Sequence, residues 1–295
     1  MNVLAAIGEG LVELRGGADQ DELHVGVGGD AANVCVMAAR AGASARLASR
    51  VGDETFGTRL VDFWHAAGVD VRWILRDPGA PTGVYLNEPT ADGHRFSYWR
   101  NGSAGSRIEA DDIPAAFLDG VGILLVTGIT LAISTSAATA AYTAAARARS
   151  RGARVAFVVN HRPQLHAAPA LVQRWARSAD ILIFSDEDAA ALPHLEDAGD
   201  GDLREIVRTA GAAPATVRWS GGEEQCAIPA VPVIDAAGAG DALAGAYLAG
   251  RLAGVQPAAA LARAVTAASL SVGRIGCAAS YPSADELESA LGAAT

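Results

Sequence analysis

Ile123-Leu124-Leu125-Val126 and Ile181-Leu182-Ile183-Phe184 are unbroken apolar runs, each too short for a helix of ordinary length. A run with no polar alternation suits a strand covered on both faces, as in a parallel sheet wrapped by helices. Working outward from these two, similar runs predict strands over 2–7, 45–51, 71–75, 121–127, 154–159, 180–184 and 215–219. Alanine-rich segments between them predict helices over 30–42, 56–68, 136–151, 168–177, 203–210, 240–253 and 257–274. The order predicts an α/β fold, a central mostly parallel sheet flanked by helices. From Thr82 to Tyr98 the rhythm changes: Val84, Leu86, Phe96 and Tyr98 fall on alternate positions, with Ala91-Asp92-Gly93 as a turn. With further short strands between Gly10 and Val27, this predicts a small β-sheet lid. Residues 1–295 thus read as one domain, with lid strands from about 10–27 and 80–100.

Composition narrows the function. The chain has 295 residues, 51% hydrophobic and 19% charged, so it can bury a sizeable core. Its net charge of −10 argues against nucleic acid as a partner. All 23 cationic side chains are arginines. A Walker A loop ends in Gly-Lys-Ser/Thr and a Schiff-base enzyme needs a lysine amine, so neither chemistry is available. Cys35, Cys226 and Cys277 have neither zinc-site nor disulfide-framework spacing and fit a reducing cytoplasm. Met1 to Glu9 lacks a basic n-region, and no apolar stretch is long enough to span a bilayer. A soluble cytoplasmic protein is expected, with no membrane partner.

Two glycine-containing motifs stand before helices. Asp235-Ala236-Ala237-Gly238-Ala239-Gly240-Asp241 follows the apolar run Ile228–Ile234 and leads into Ala242–Ala249. Its glycines let several backbone N–H groups face a ligand, and at a helix N-terminus such donors form an anion site. Asp241 in the first turn could accept a proton beside that anion; an ordinary loop with a capping aspartate has the same local pattern. Gly28-Gly29-Asp30-Ala31-Ala32-Asn33 opens an apolar helix and can present Gly29, Asp30 and Asn33 to a small polar ligand, or simply cap that helix. With Gly26 it also reads Gly-x-Gly-x-x-Ala, the mark of a dinucleotide site, but the run before it, Ala18 to His24, is polar rather than a strand.

These motifs, with Gly52-Asp53-Glu54-Thr55-Phe56-Gly57 between them, resemble the PfkB, or ribokinase-like, family of carbohydrate kinases over essentially the whole chain. Within that family the sequence looks most like kinases of 2-keto-3-deoxygluconate. The residues that carry this are Tyr85-Leu86, Tyr98-Trp99-Arg100-Asn101-Gly102-Ser103-Ala104-Gly105-Ser106, Thr127-Gly128-Ile129-Thr130-Leu131-Ala132 and Asn160-His161-Arg162-Pro163. Arginine forks suit the carboxylate of a sugar acid. The resemblance implies ATP-dependent phosphorylation of a sugar acid to its 6-phosphate. Asp241 would be the general base, and the N–H groups of Gly238, Ala239 and Gly240 would hold the transferred phosphoryl group. Gly29, Asp30, Asn33, Tyr85, Tyr98, Arg100 and Arg162 would bind the sugar acid, with Asp241. Ser185, Arg218, Ser220 and Gly221, with Gly238 and Gly240, would bind ATP. Mg²⁺ would join the nucleotide mostly through water, with Asp188 as a metal residue also through water. The resemblance and the aromatic lid together imply a homodimer formed through the lid.

The sequence departs from the family pattern on the nucleotide side. Val158 stands where an aspartate is usual, Asp188 where a glutamate is usual, and Val217-Arg218-Trp219-Ser220-Gly221 replaces Val-x-Lys-x-Gly. The stretch from Gly222 to Ile234 is short, as though a hairpin beside the adenine site were missing. The alternatives are a PfkB-type kinase of a neutral sugar or nucleoside, and a non-catalytic sugar-acid binder on the same fold. A dinucleotide-dependent oxidoreductase rests on Gly26–Ala31 alone.

Overall fold

The computed structural model describes residues 2–17, 21–90, 93–165, 168–195 and 204–293. Fourteen strands appear among them: β1 (Val3–Ile7), β2 (Leu11–Arg15), β3 (His24–Gly28), β4 (Ser44–Gly52), β5 (Val69–Asp70), β6 (Ile74–Asp77), β7 (Gly83–Thr90), β8 (Gly93–Trp99), β9 (Val121–Thr127), β10 (Arg154–Val158), β11 (Ile181–Ser185), β12 (Glu205–Ala210), β13 (Ala213–Trp219) and β14 (Gly222–Cys226). The helices are α1 (Asp30–Arg40), α2 (Thr55–Ala66), α3 (Gly128–Ile133), α4 (Thr135–Arg149), α5 (Pro169–Ser178), α6 (Asp186–Ala191), α7 (Ala239–Leu252), α8 (Pro257–Ser271) and α9 (Ala284–Ala293). The main sheet runs β14-β13-β12-β11-β10-β9-β1-β4-β5, with β6 also on β4. It is parallel from β12 to β5 and β6, and antiparallel at β13 and β14.

Successive residues of the central strands enter opposite layers, as the two-residue period of a strand requires. Ile123, Leu125, Ile181 and Ile183 join a core with α1, α7 and α8. Leu124, Val126, Leu182 and Phe184 join a second core with α4 and α5. That double burial is why these runs carry no polar residue. The helices α1 and α7 cross at Gly245, where a Cβ would stand 2.6 Å from the Val34 carbonyl oxygen. This close approach brings the N-terminal turns of both helices, and so both glycine motifs, to one place.

The second sheet has the order β3-β2-β7-β8, parallel between β2 and β7 and antiparallel at its flanks. Its strands fall in the two stretches expected for a lid. The expected turn tip, Ala91-Asp92, lies outside the described residues, as does part of the polar run, Ala18–Gln20.

Two expectations need correction. Residues 203–210 were expected to be helical; the described part forms β12. Ile206 and Val207 are adjacent yet buried in opposite cores, which a strand between two layers does and a surface helix does not. The expected strand 71–75 is instead the pair β5 and β6, both on β4. From Gly222 to Ile234 the chain forms one strand, β14, paired back onto β13, and residues 227–234 form none, so no further hairpin stands there. Pro229 and Pro232 cannot donate to a ladder.

Candidate active site

A cavity of about 320 Å³ lies between the small sheet and the carboxyl ends of the main-sheet strands. The loop after β1, the start of α1, the loop after β10 and the start of α7 all open into it, which is where open α/β sheets bind ligands.

At its floor, Asp241 sits in the first turn of α7 and accepts a hydrogen bond from Asn33 Nδ2 at 2.9 Å. Burial and the neighbouring Asp30 carboxylate push its pKa up to about 7, against the opposing pull of Asn33 and Arg162. Burial also raises Asp30, although Thr127, the Ala31 N–H, Asn160 and Arg162 oppose the shift. Asn160 reaches Asp30 at 3.2 Å from a backbone with φ of +38°, in the left-handed region that asparagine tolerates.

Gly238 caps α7 with φ +79° and ψ +2°. A Cβ there would stand 2.2 Å from Cys277 Sγ and 2.8 Å from the Tyr281 hydroxyl, so only glycine fits. Tyr281 donates to the Gly238 carbonyl at 2.9 Å. The N–H groups at the start of α7 have no intrahelical acceptor, although Ala239 N–H meets the Ala236 carbonyl at 3.3 Å, and donors so placed suit an anion beside Asp241.

The small sheet supplies an aromatic wall. Tyr85 and Tyr98 stack with centroids 5.8 Å apart, and Phe96 lies 6.4 Å from Tyr98. Arg100 lies over Tyr98 at 5.2 Å, buried, with its guanidinium against the Glu9 carboxylate. Burial and the nearby Arg162 lower the Arg100 pKa to about 10. Arg162 is exposed and lines the cavity from the loop after β10.

A second hollow of about 510 Å³ lies on the other side of the same glycine loop. Ala236, Ala239 and Gly240 line both spaces. The second is an apolar slot whose walls include Ile228, Val231, Val233, Leu243, Val265 and Val272. Two adjoining spaces, one of mixed charged and aromatic lining and one almost wholly apolar, with the glycine loop between them, suit a phosphoryl acceptor and a nucleotide donor.

The model of the pfkB family carbohydrate kinases matches residues 2–284. The chain belongs to that family. This pfkB kinase is similar to the 2-dehydro-3-deoxygluconokinase of Thermoproteus tenax, with 36% identity over 308 residues, covering 98% of this chain and 94% of the relative. It is also similar to the 2-dehydro-3-deoxygluconokinase of Escherichia coli strain K12, with 31% identity over 280 residues, covering 85% of this chain and 88% of the relative. Among solved structures, a fructokinase with bound ATP from Xylella fastidiosa superimposes with a TM-score of 0.92 at 22% identity, covering 99% of this chain and 98% of that one, a likeness of fold. No helix among the described residues is long and apolar enough to cross a membrane.

The structure brings Gly29, Asp30, Asn33, Tyr85, Tyr98, Arg100, Arg162, Gly238, Ala239, Gly240 and Asp241 of this pfkB kinase onto one cavity. The residues expected at the nucleotide are placed differently. Arg218, Ser220 and Gly221 lie at the far end of the sheet, because β13 runs antiparallel: Arg218 pairs with Ile206 at the start of β12, and Ala213 with Ala210 at its end. Misreading β12 as a helix made β13 look like the strand whose end faces the site. The turn that does line the slot is Thr209-Ala210-Gly211-Ala212.

Ser185 caps α6, its hydroxyl accepting from the Asp188 N–H at 3.1 Å. Asp188, expected to reach Mg²⁺ through water, is engaged by protein groups. Its oxygens accept from His161 N–H at 2.7 Å, Ser185 N–H at 2.9 Å and the Ser185 hydroxyl at 3.0 Å, and it lines neither cavity. It staples the loop that carries Asn160 and Arg162. Among the described residues no three His, Cys, Asp or Glu side chains gather as a metal site.

The sequence reading also missed Glu9, His94, Phe96 and Cys277, which line the cavity, and the walls of the slot. The prolines in Ile228–Ile234 were the available signal for the slot, since they mark an apolar stretch that cannot be an inner strand.

Proposed function

We propose that this kinase transfers the γ-phosphoryl group of ATP to the 6-hydroxyl of 2-keto-3-deoxygluconate. The observation that carries the proposal is the glycine loop shared by the two spaces, with Asp241 on the sugar side and the apolar slot on the other. The two relatives named 2-dehydro-3-deoxygluconokinase support the choice of sugar acid.

In this reading the adenine lies in the slot and the phosphates run over the N–H groups of Gly238, Ala239 and Gly240. The sugar stacks on Tyr85 and Tyr98, with polar contacts from Gly29, Asp30 and Asn33. Arg162 pairs with its carboxylate, and Arg100, already paired with Glu9, shapes that end of the cavity. The 6-hydroxyl oxygen attacks the γ-phosphorus, the bond to the β-γ bridging oxygen breaks, and ADP leaves. Asp241 takes the hydroxyl proton, and a carboxylate pushed up to about 7 is a competent base near neutrality. The cradle donors offset the charge on the phosphoryl group in flight. With Asp188 spent on protein donors, Mg²⁺ would be held by the nucleotide phosphates and by water. When bound, it neutralises phosphate charge.

A homodimer through the small sheet is part of the proposal. Leu14, Val25, Val84, Leu86 and Trp99 share the sheet face turned away from the cavity, and Trp99 is 60% exposed. Light scattering should give twice the chain mass, and a monomer at high concentration would remove this part.

The test is an ADP-release assay with ATP and Mg²⁺ over 2-keto-3-deoxygluconate, its galacto epimer, gluconate, fructose, ribose and adenosine. Turnover confined to the keto-deoxy acids is expected. Turnover centred on a neutral sugar would discard the sugar-acid reading, and nucleotide binding without turnover would favour a binder.

A further inference from the structure

Asp235 opens the glycine loop, but its carboxylate is 1% exposed and does not face the cavity. Two of its partners lie in segments that pack around the cradle. Oδ1 accepts from the Ala237 N–H at 3.0 Å, and Oδ2 accepts from the Gly276 N–H at 2.9 Å. Gly276 adjoins Cys277, whose Sγ packs against Gly238 and accepts from Asn33 Nδ2 at 3.1 Å. The carboxylate therefore ties together the two segments that shape the cradle.

Its other two partners come from a different sheet. Arg15, at the end of β2, places Nη1 on Oδ2, and His94, on β8, places Nε2 3.3 Å from Oδ1. Both side chains are mostly buried, and both lie on the cavity face of the small sheet with Tyr85 and Tyr98. His94 is held in turn. Its Nδ1 lies 2.7 Å from Asn87 Oδ1, while Asn87 Nδ2 donates to Glu13 Oε1 at 2.8 Å. Asn87 therefore turns its NH₂ to Glu13 and its oxygen to His94. Asn87 thus bridges Glu13 and His94 and fixes the ring toward Asp235.

We infer that Arg15 and His94 are positioning residues that make the geometry of the glycine cradle depend on the seating of the small sheet, acting through Asp235. The inference rests on the reading that the cradle serves phosphoryl transfer. The lid strands that carry the sugar wall also carry the two groups that hold Asp235. A lifted lid strips two cationic or hydrogen-bonding partners from a buried carboxylate, and the cradle loses its fixed shape. A seated lid completes it. Such coupling withholds the cradle until the acceptor is enclosed, which protects ATP from water.

The test uses the full chain with the variants Arg15→Met, Arg15→Lys, Asp235→Asn and the double variant Arg15→Met/Asp235→Asn. Turnover is measured with 2-keto-3-deoxygluconate, and deuterium exchange is followed at the 236–240 amides with sugar and a non-hydrolysable ATP analogue bound. Arg15→Met should lower kcat about 10²-fold, the scale of a misplacement of about 1 Å. Sugar KM should move by less than about threefold. Exchange at the 236–240 amides should speed up, and Arg15→Lys should recover part of both losses. The double variant should be no slower than Asp235→Asn alone, since both break one linkage.

Unchanged kcat and exchange in Arg15→Met would overturn the inference. So would losses that multiply in the double variant, or a rise confined to KM. Should Arg15→Met fail to fold, Arg15→Lys and His94→Gln give the same readouts, with the same outcomes deciding. Asp241→Asn separates the two readings. It should abolish turnover with exchange unchanged; if turnover survives, the base reading fails while the exchange result for Arg15 still stands.

Discussion

Replacing Gly238 by alanine tests the cradle through a single methyl group. The backbone at Gly238 has φ +79°, and an L-residue in that left-handed region costs about 1–2 kcal/mol. The added Cβ would also meet Cys277 Sγ at 2.2 Å and the Tyr281 hydroxyl at 2.8 Å. Carbon and its neighbours normally keep about 3.5–4.0 Å. Cys277 and Tyr281 are both buried, at 5% and 1% exposure, so neither can swing away. Overpacking of this kind costs a further ~1–3 kcal/mol. The sum is roughly 2–5 kcal/mol, to be set against a typical domain stability of about 5–15 kcal/mol. The Gly238→Ala protein should therefore fold with a visibly lower urea midpoint. Its kcat should fall about 10²-fold because the displaced atoms belong to the cradle. Cys277→Ala in the same chain removes the Sγ overlap and should recover part of the packing share, leaving the Tyr281 overlap and the backbone share. Urea unfolding and ADP release measure both. A Gly238→Ala chain within about 0.5 kcal/mol of the parent at full kcat would refute the reasoning.

Three further outcomes are expected. Because burial and Asp30 push the Asp241 pKa up to about 7, kcat/KM should fall about tenfold per unit as pH drops below that value, and Asp30→Asn should move this limb to lower pH. The stability sign follows from the same shift. The folded pKa lies above the ordinary 3.8, so the folded state binds more protons between about 4 and 7, and ionisation destabilises the fold above that range. Asp241→Asn should then be more stable than the parent at pH 8, with the difference vanishing near pH 4 in urea titrations. Arg162→Ala should raise KM for a sugar acid by about 10- to 100-fold, an equivalent of one lost charge-assisted pair, and leave any fructose turnover unchanged. Asp188→Ala should leave the Mg²⁺ dependence of activity unaltered while raising sugar KM, since Asp188 holds the loop that presents Arg162; a shifted Mg²⁺ requirement would restore it as a metal residue.

The central strands were legible because burial on both faces removes polar residues from them, as in Ile123–Val126 and Ile181–Phe184. The lining of the first cavity was legible where its residues come in local clusters: Gly29, Asp30 and Asn33 on one turn, Gly238 to Asp241 on another. The lining of the apolar slot was not. Leu203-Arg204-Glu205-Ile206-Val207-Arg208 carries charges at helix-like spacing, yet Ile206 and Val207 are drawn into two different cores, and tertiary burial outweighs that local pattern. One misassigned element then moved Arg218, Ser220 and Gly221 to the wrong end of the sheet. The Glu9–Arg100 pair and the Arg15 and His94 contacts with Asp235 left no local trace, since each joins elements far apart in sequence. Asn160 could have been suspected, because asparagine is among the few residues at ease at positive φ.

Phosphorus NMR of the product tests the central claim most directly. The parent chain would be incubated with ATP, Mg²⁺ and 2-keto-3-deoxygluconate, and the Asp241→Asn chain run beside it. The account predicts ADP and a new phosphomonoester in equal amounts, its phosphorus coupled to the protons of the terminal CH₂, with neither formed by Asp241→Asn. ATP left intact by a folded parent chain, release of inorganic phosphate alone, or a phosphomonoester formed equally well without the Asp241 carboxylate would contradict it.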